Sequence, residues 1–154
     1  MPALQVVKLS LKEQDRVLAL VQKLLRELES GSDEFAGIDK QKMLRDLAEN
    51  EERFNAFAAI NERGEHVGVL TLVEAFAIYA GGNYGVIDEM YVSPEYRSQG
   101  VGKMLLAAAK EFGRAKGWLR IDVTAPPEEE WRRTVKFYER EGFVFTGPKL
   151  RCKL

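Results

Sequence analysis

Residues 87–103, IDEMYVSPEYRSQGVGK, force a change of secondary structure within a few positions. An apolar run rich in strand formers ends at Val92, Pro94 interrupts any ladder, Gly100 and Gly102 follow, and apolar residues then recur at helical spacing. A strand that turns through a glycine-rich loop into a helix aims backbone N–H groups and the positive end of a helix dipole at one point. Such a point suits an anionic group, most often a phosphate. Neither common nucleotide fingerprint is completed: no Gly-Lys-Ser/Thr follows, and position 105, where G-x-G-x-x-G needs its last glycine, is leucine.

The same stretch carries a second constraint. Ile87 and Met90 are three residues apart, whereas Met90 and Val92 are two apart. A regular strand cannot place all three on one face. The pattern predicts a β-bulge near Asp88 and Glu89, which bends the strand and frees backbone groups from the ladder.

Periodicity around this junction predicts strands at 5–9, 54–60, 66–76, 84–92, 119–123, 143–145 and 149–154, and helices at 11–28, 38–49, 100–116 and 128–141. Ser10 and Glu13 have capping-box spacing, and Gly117 and Gly142 stand where helices stop. The order β-α-α-β-β-β-α-β-α-β-β predicts a single α/β domain over residues 1–154. Its mixed sheet is mostly antiparallel and flanked by helices. A βαβ unit comes late, and a sheet that changes character midway offers a splayed point for a ligand.

Composition narrows the function classes. A net charge of -1 gives no drive toward nucleic acid, and no apolar run approaches the ~20 residues of a membrane span. The one cysteine, Cys152, forbids an intrachain disulfide and fits a reducing, cytoplasmic compartment. The one histidine, His66, is far from it in sequence, so no metal site is expected; His66 reads as structural or surface.

Arg97-Ser98-Gln99-Gly100-Val101-Gly102 fits the R/Q-x-x-G-x-G/A signature of the GCN5-related N-acetyltransferases, and this chain resembles that superfamily. Its V-x-P-x-x-R lead-in (Val92 to Arg97) and the later Phe137-Tyr138-Glu139-Arg140-Glu141-Gly142-Phe143 are similar to further elements of the superfamily, in the same order. The resemblance implies acetyl-coenzyme A as co-substrate and no metal. It implies coenzyme contacts at Met90, Tyr91 and Val92, with the backbone of Met90 and Val92 pairing with the pantetheine arm. It also implies contacts at Arg97, Ser98, Gln99, Gly100, Val101, Gly102 and Lys103, with the amides of Gln99 through Lys103 around the pyrophosphate. Tyr138 aligns with a tyrosine that in many members protonates the departing thiolate.

Other roles stay open at this level. Glu89, Asp88 or an ordered water could take the proton of the attacking amine, with Glu89 preferred. The asparagine that many members carry near the start of the last helix is absent; those positions hold Trp131 and Thr134. Asp33, Glu34 and Phe35 lie in an acidic loop suited to a cationic amine, or simply to solvent. The expected acceptor is a small-molecule or peptide amine, with a homodimer possible and no nucleic acid or membrane partner. The rival readings are another acyl-coenzyme A donor and a non-catalytic acyl-coenzyme A sensor.

Overall fold

Among the described residues, five strands form one sheet in chain order: β1 (Gln5–Lys8), β2 (Phe54–Ile60), β3 (His66–Ala77), β4 (Gly82–Val92) and β5 (Ile121–Val123). The first three pairings are antiparallel and β4–β5 is parallel, so the sheet is mixed and mostly antiparallel, as the sequence predicts. The computed structural model describes residues 3–28, 38–124, 132–147 and 149–154. Among them, no helix is long and apolar enough to cross a membrane.

The helices cover both faces. On one side α1 (Gln14–Leu28) closes over the sheet, with Val17, Leu20 and Val21 packed against Ala56, Ala58, Val69 and Tyr91, and α2 (Lys40–Glu49) packs against α1. On the other, α3 (Val101–Lys116) and α4 (Arg132–Arg140) bury Val101, Leu105, Leu106 and Tyr138 against Leu70, Leu72 and Ile87. Ser10 and Glu13 form the predicted capping box ahead of α1.

Trp118 fixes β5 beside β4. A Cβ on Gly85 would lie 2.5 Å from its ring and one on Gly113 2.9 Å, so two glycines open the slot the indole fills. The indole N–H donates to Glu74 at 2.7 Å.

The sequence over-predicts strands at the C-terminus. Residues 143–145 and 149–154 form no strand, and Val144, Phe145 and Leu150 are exposed. Phe143 is used differently: its N–H bonds to Tyr138 O at 3.0 Å, Gly142 N–H bonds to Glu139 O at 3.1 Å, and Gly142 has φ 97. That is a Schellman stop, with the Phe143 ring packed on Tyr138. Phe143 belongs to the helix ending, not to a ladder.

Candidate active site

The bulge falls where the apolar phase requires it. Thr71 pairs with Glu89 and Leu72 with Ile87, so Asp88 is the extra residue. Ile87, Met90 and Val92 consequently all pack on the α3 side. Glu89 turns to the opposite face, with Tyr91, under α1.

β5 pairs with β4 only at Gly85, Val86 and Ile87. From Asp88 to Val92 that edge of β4 has no neighbouring strand among the described residues. Glu89 N–H points to β3, reaching Thr71 Oγ1 at 3.0 Å, and Ser93 N–H bonds to Val67 O at 2.9 Å. Backbone groups alternate sides along a strand, so the N–H groups of Met90 and Val92 face the free edge. These are the two residues assigned to strand-like pairing with a pantetheine arm.

The loop that follows is held by its own side chains. Arg97 donates from Nε to Val92 O at 2.7 Å and from its guanidinium to Glu27 on α1 at 2.7 Å, and it lies over the Tyr91 ring. Asn61 Nδ2 donates to Tyr96 OH at 3.0 Å, tying the β2–β3 turn to the loop, and Gln99 Nε2 donates to Glu95 O. Arg97 and Gln99 thus shape the loop with their side chains, and Val101 buries its own in the core. Ser98 (φ 61) and Gly100 (φ 82) are left-handed, and a Cβ on Gly100 would meet nothing within 4 Å. Among the described residues no side chain caps α3, whose first internal bond is Met104 N–H to Gly100 O; the first-turn N–H groups ahead of it point outward.

Gly102 has a packing role as well. A Cβ there would lie 3.0 Å from Cζ of Phe137, so the second glycine of one sequence motif admits the phenylalanine of the other.

The residue pattern and the geometry meet in the comparisons. The Acetyltransferase (GNAT) family matches residues 19–143. The chain belongs to the GNAT family of acetyltransferases. An aminoalkylphosphonate N-acetyltransferase of Salmonella typhimurium is 36% identical over 81 residues, covering 52% of this chain and 51% of that protein. An aminoglycoside acetyltransferase from an uncultured soil metagenomic sample superposes with a TM-score of 0.82 at 24% identity, covering 99% of each chain. An aminoglycoside N-acetyltransferase in complex with CoA gives a TM-score of 0.79 at 18% identity, covering 100% of this chain and 96% of that one. At these identities the two structures speak for the fold. The chain spans about half the length of the curated relatives it matches.

Glu89 and Tyr138 of this GNAT chain lie on opposite faces of the sheet, with Asp88 at the bulge between β4 and β3. Glu89 is half-buried and its carboxyl is pushed above the usual range, chiefly by desolvation, with the Thr71 hydroxyl pulling it back and Asp88 adding to the rise. Asp88 is exposed at the bulge; desolvation raises it and Lys149 opposes the rise. Tyr138, 7% exposed, sits between Phe137 and Phe143 in the α3-side core. Burial pushes its phenol up to about 12. It lines an open cleft of about 1680 Å³ together with Val123 and Thr124 at the end of β5.

Asp33, Glu34, Phe35 and Trp131 lie outside the described residues. Lys149, Arg151 and Lys153 lie on no strand, so their alternation makes no basic sheet face. His66 opens β3 opposite Ile60, with Nε2 4.0 Å from Glu13, a structural position.

Sequence reasoning missed Thr71, Glu27 and Asn61. Thr71 left a signal: it is the one polar residue in the run Val67 to Val73, and it is 1% exposed. A polar side chain inside an apolar strand needs a partner, and here the partner is Glu89.

Proposed function

We propose that this chain is an N-acetyltransferase that moves an acetyl group from acetyl-coenzyme A to the primary amine of a small acceptor, by direct attack with both bound. The free edge of β4, running from the bulge toward the uncapped start of α3, carries this reading. The donor set fits the coenzyme. Of the two strand N–H groups, Met90 suits the acyl carbonyl and Val92 the amide-bearing arm, and the open backbone at Gly100 with the α3 amides suits a pyrophosphate.

The coenzyme supplies an activated acetyl thioester. The Glu89 carboxylate accepts the proton of the attacking amine, and desolvation strengthens it as a base. The Met90 N–H, aimed at the free edge, donates to the carbonyl oxygen as it gains negative charge. Tyr138 donates a hydrogen bond to the departing sulfur. An ordinary thiol titrates near 8.5, so complete transfer from a phenol at about 12 is uphill by about 5 kcal/mol. Tyr138 therefore stabilises the developing thiolate as a hydrogen-bond donor. The small-amine acceptor class is favoured by the names of the relatives, aminoglycoside and aminoalkylphosphonate acetyltransferases.

The test is thiol release from acetyl-coenzyme A over a panel of an aminoglycoside, an aminoalkylphosphonate, spermidine and a peptide with a free N-terminus. Turnover with at least one, abolished in Glu89→Gln, is expected. Coenzyme binding with no turnover on any of them would replace this reading with a non-catalytic acyl-coenzyme A sensor.

A further inference from the structure

We propose that Thr71 is a positioning residue for the Glu89 carboxylate, and that its hydroxyl holds the base in one orientation on the α1 face of the sheet; this rests on the reading of Glu89 as the base. The argument starts from the bulge. Asp88 is extruded, and the pairing resumes with Glu89 directly opposite Thr71. At that position Thr71 Oγ1 accepts the Glu89 N–H at 3.0 Å and donates its own proton to Glu89 Oε2.

A hydroxyl has one proton to give. The backbone N–H fixes the oxygen's lone-pair direction, which leaves the proton to the carboxylate. One side chain thus grips both the main chain and the side chain of the same glutamate. Oε2 is occupied by this contact, and Oε1 is the oxygen left for the amine. Thr71 is buried and β-branched, so its χ1 is stiff and the grip has little freedom to swing.

The contact also has an electrostatic consequence. A donor aimed at a carboxylate favours the ionised form. Burial alone would drive Glu89 toward its neutral form, which is useless as a base; the Thr71 hydroxyl opposes that drive. Asp88, beside it in sequence, is the charged group that acts on Glu89, and Asp88 in turn feels Lys149. The sequence element is a lone threonine in the otherwise apolar run Val67 to Val73 of β3, two strands from the β1 edge.

The experiment is an NMR titration of the glutamate side-chain carbons in the full chain, with Glu89 assigned by its loss in Glu89→Gln. In Thr71→Val the Glu89 midpoint should rise by about one pH unit, and Thr71→Ser should return it to the wild-type value. Thr71→Ala gives the same readout if the valine variant does not fold. An unchanged midpoint in the variants that lack the hydroxyl overturns the proposal. A shifted midpoint together with a fully active Glu89→Gln enzyme overturns the reading beneath it, because the grip would then hold a carboxylate that catalysis does not use. In the active wild type, the acid limb of kcat/KM should move with the NMR midpoint across the Thr71 series.

Discussion

The two faces of the sheet treat an ionisable group in the same way and obtain opposite chemistry. On the α1 face, desolvation raises the Glu89 carboxyl; on the α3 face, it raises the Tyr138 phenol. For the carboxylate the rise makes a stronger base. For the phenol it makes a weaker acid and a group that stays protonated. The faces also differ in support. Glu89 is gripped by a hydroxyl donor, whereas Tyr138 is held by ring packing against Phe137 and Phe143 and by the Schellman stop beneath it. Burial is thus a tuning device whose benefit depends on which protonation state the chemistry needs.

The largest effect that would break this comparison is at Glu89. Glu89→Gln should lower kcat by about 10²- to 10⁴-fold, measured in steady state with the best amine of the panel. The same substitution should stabilise the fold. A carboxyl raised in the folded state contributes stability that is fully present below its ordinary pKa and lost as pH rises through the raised value. Near neutral pH the variant should therefore melt higher than the wild type, by about 2–4 °C, and the difference should vanish toward pH 4. An inactive variant that is also less stable would mean that Glu89 is structural.

Tyr138 should matter less. Tyr138→Phe keeps the ring packing and removes one hydrogen-bond donor to a charged sulfur, so kcat should fall about 10- to 100-fold with little change in coenzyme affinity. An unchanged kcat removes Tyr138 from the reaction and leaves its burial as core packing. The pH profile sharpens the contrast further. The acid limb of kcat/KM should have its midpoint above that of an ordinary glutamate, and no basic limb should fall below about pH 11, since the phenol titrates near 12.

The smallest predicted effect belongs to the loop. Arg97→Ala removes the ties to Val92 O and Glu27 and leaves the strand N–H groups of Met90 and Val92 in place. Coenzyme affinity should weaken by about tenfold, through a looser loop, while kcat at saturation stays near wild type. A much larger loss would mean that the guanidinium itself contacts the coenzyme.

How much of this was legible in the sequence depends on the physical signal each feature leaves. The bulge was readable because Ile87, Met90 and Val92 cannot share a face without it, and the structure puts all three on the α3 side. The strand–glycine–helix junction was readable because glycine and proline punctuate it. The role of Gly102 was half legible. The glycine marks a close approach, but the partner it admits, Phe137, is 35 positions further along the chain. The C-terminal strands were misread because Phe143 looks like the start of an alternating strand. Local pattern does not show that Gly142 and Phe143 are already committed to ending α4. Thr71 was passed over because its partner emerges only once the register of β3 against β4 is known.

The most direct test of the central claim, that the free edge of β4 and the start of α3 form one coenzyme site, is calorimetric titration of the purified chain. Acetyl-coenzyme A would be compared with 3′-phosphoadenosine 5′-diphosphate, which keeps the pyrophosphate and lacks the pantetheine arm. The account predicts saturable one-to-one binding of acetyl-coenzyme A and binding weaker by about 100-fold or more for the truncated nucleotide, since the strand edge then has nothing to pair. Equal affinities, or no binding of acetyl-coenzyme A, would contradict it.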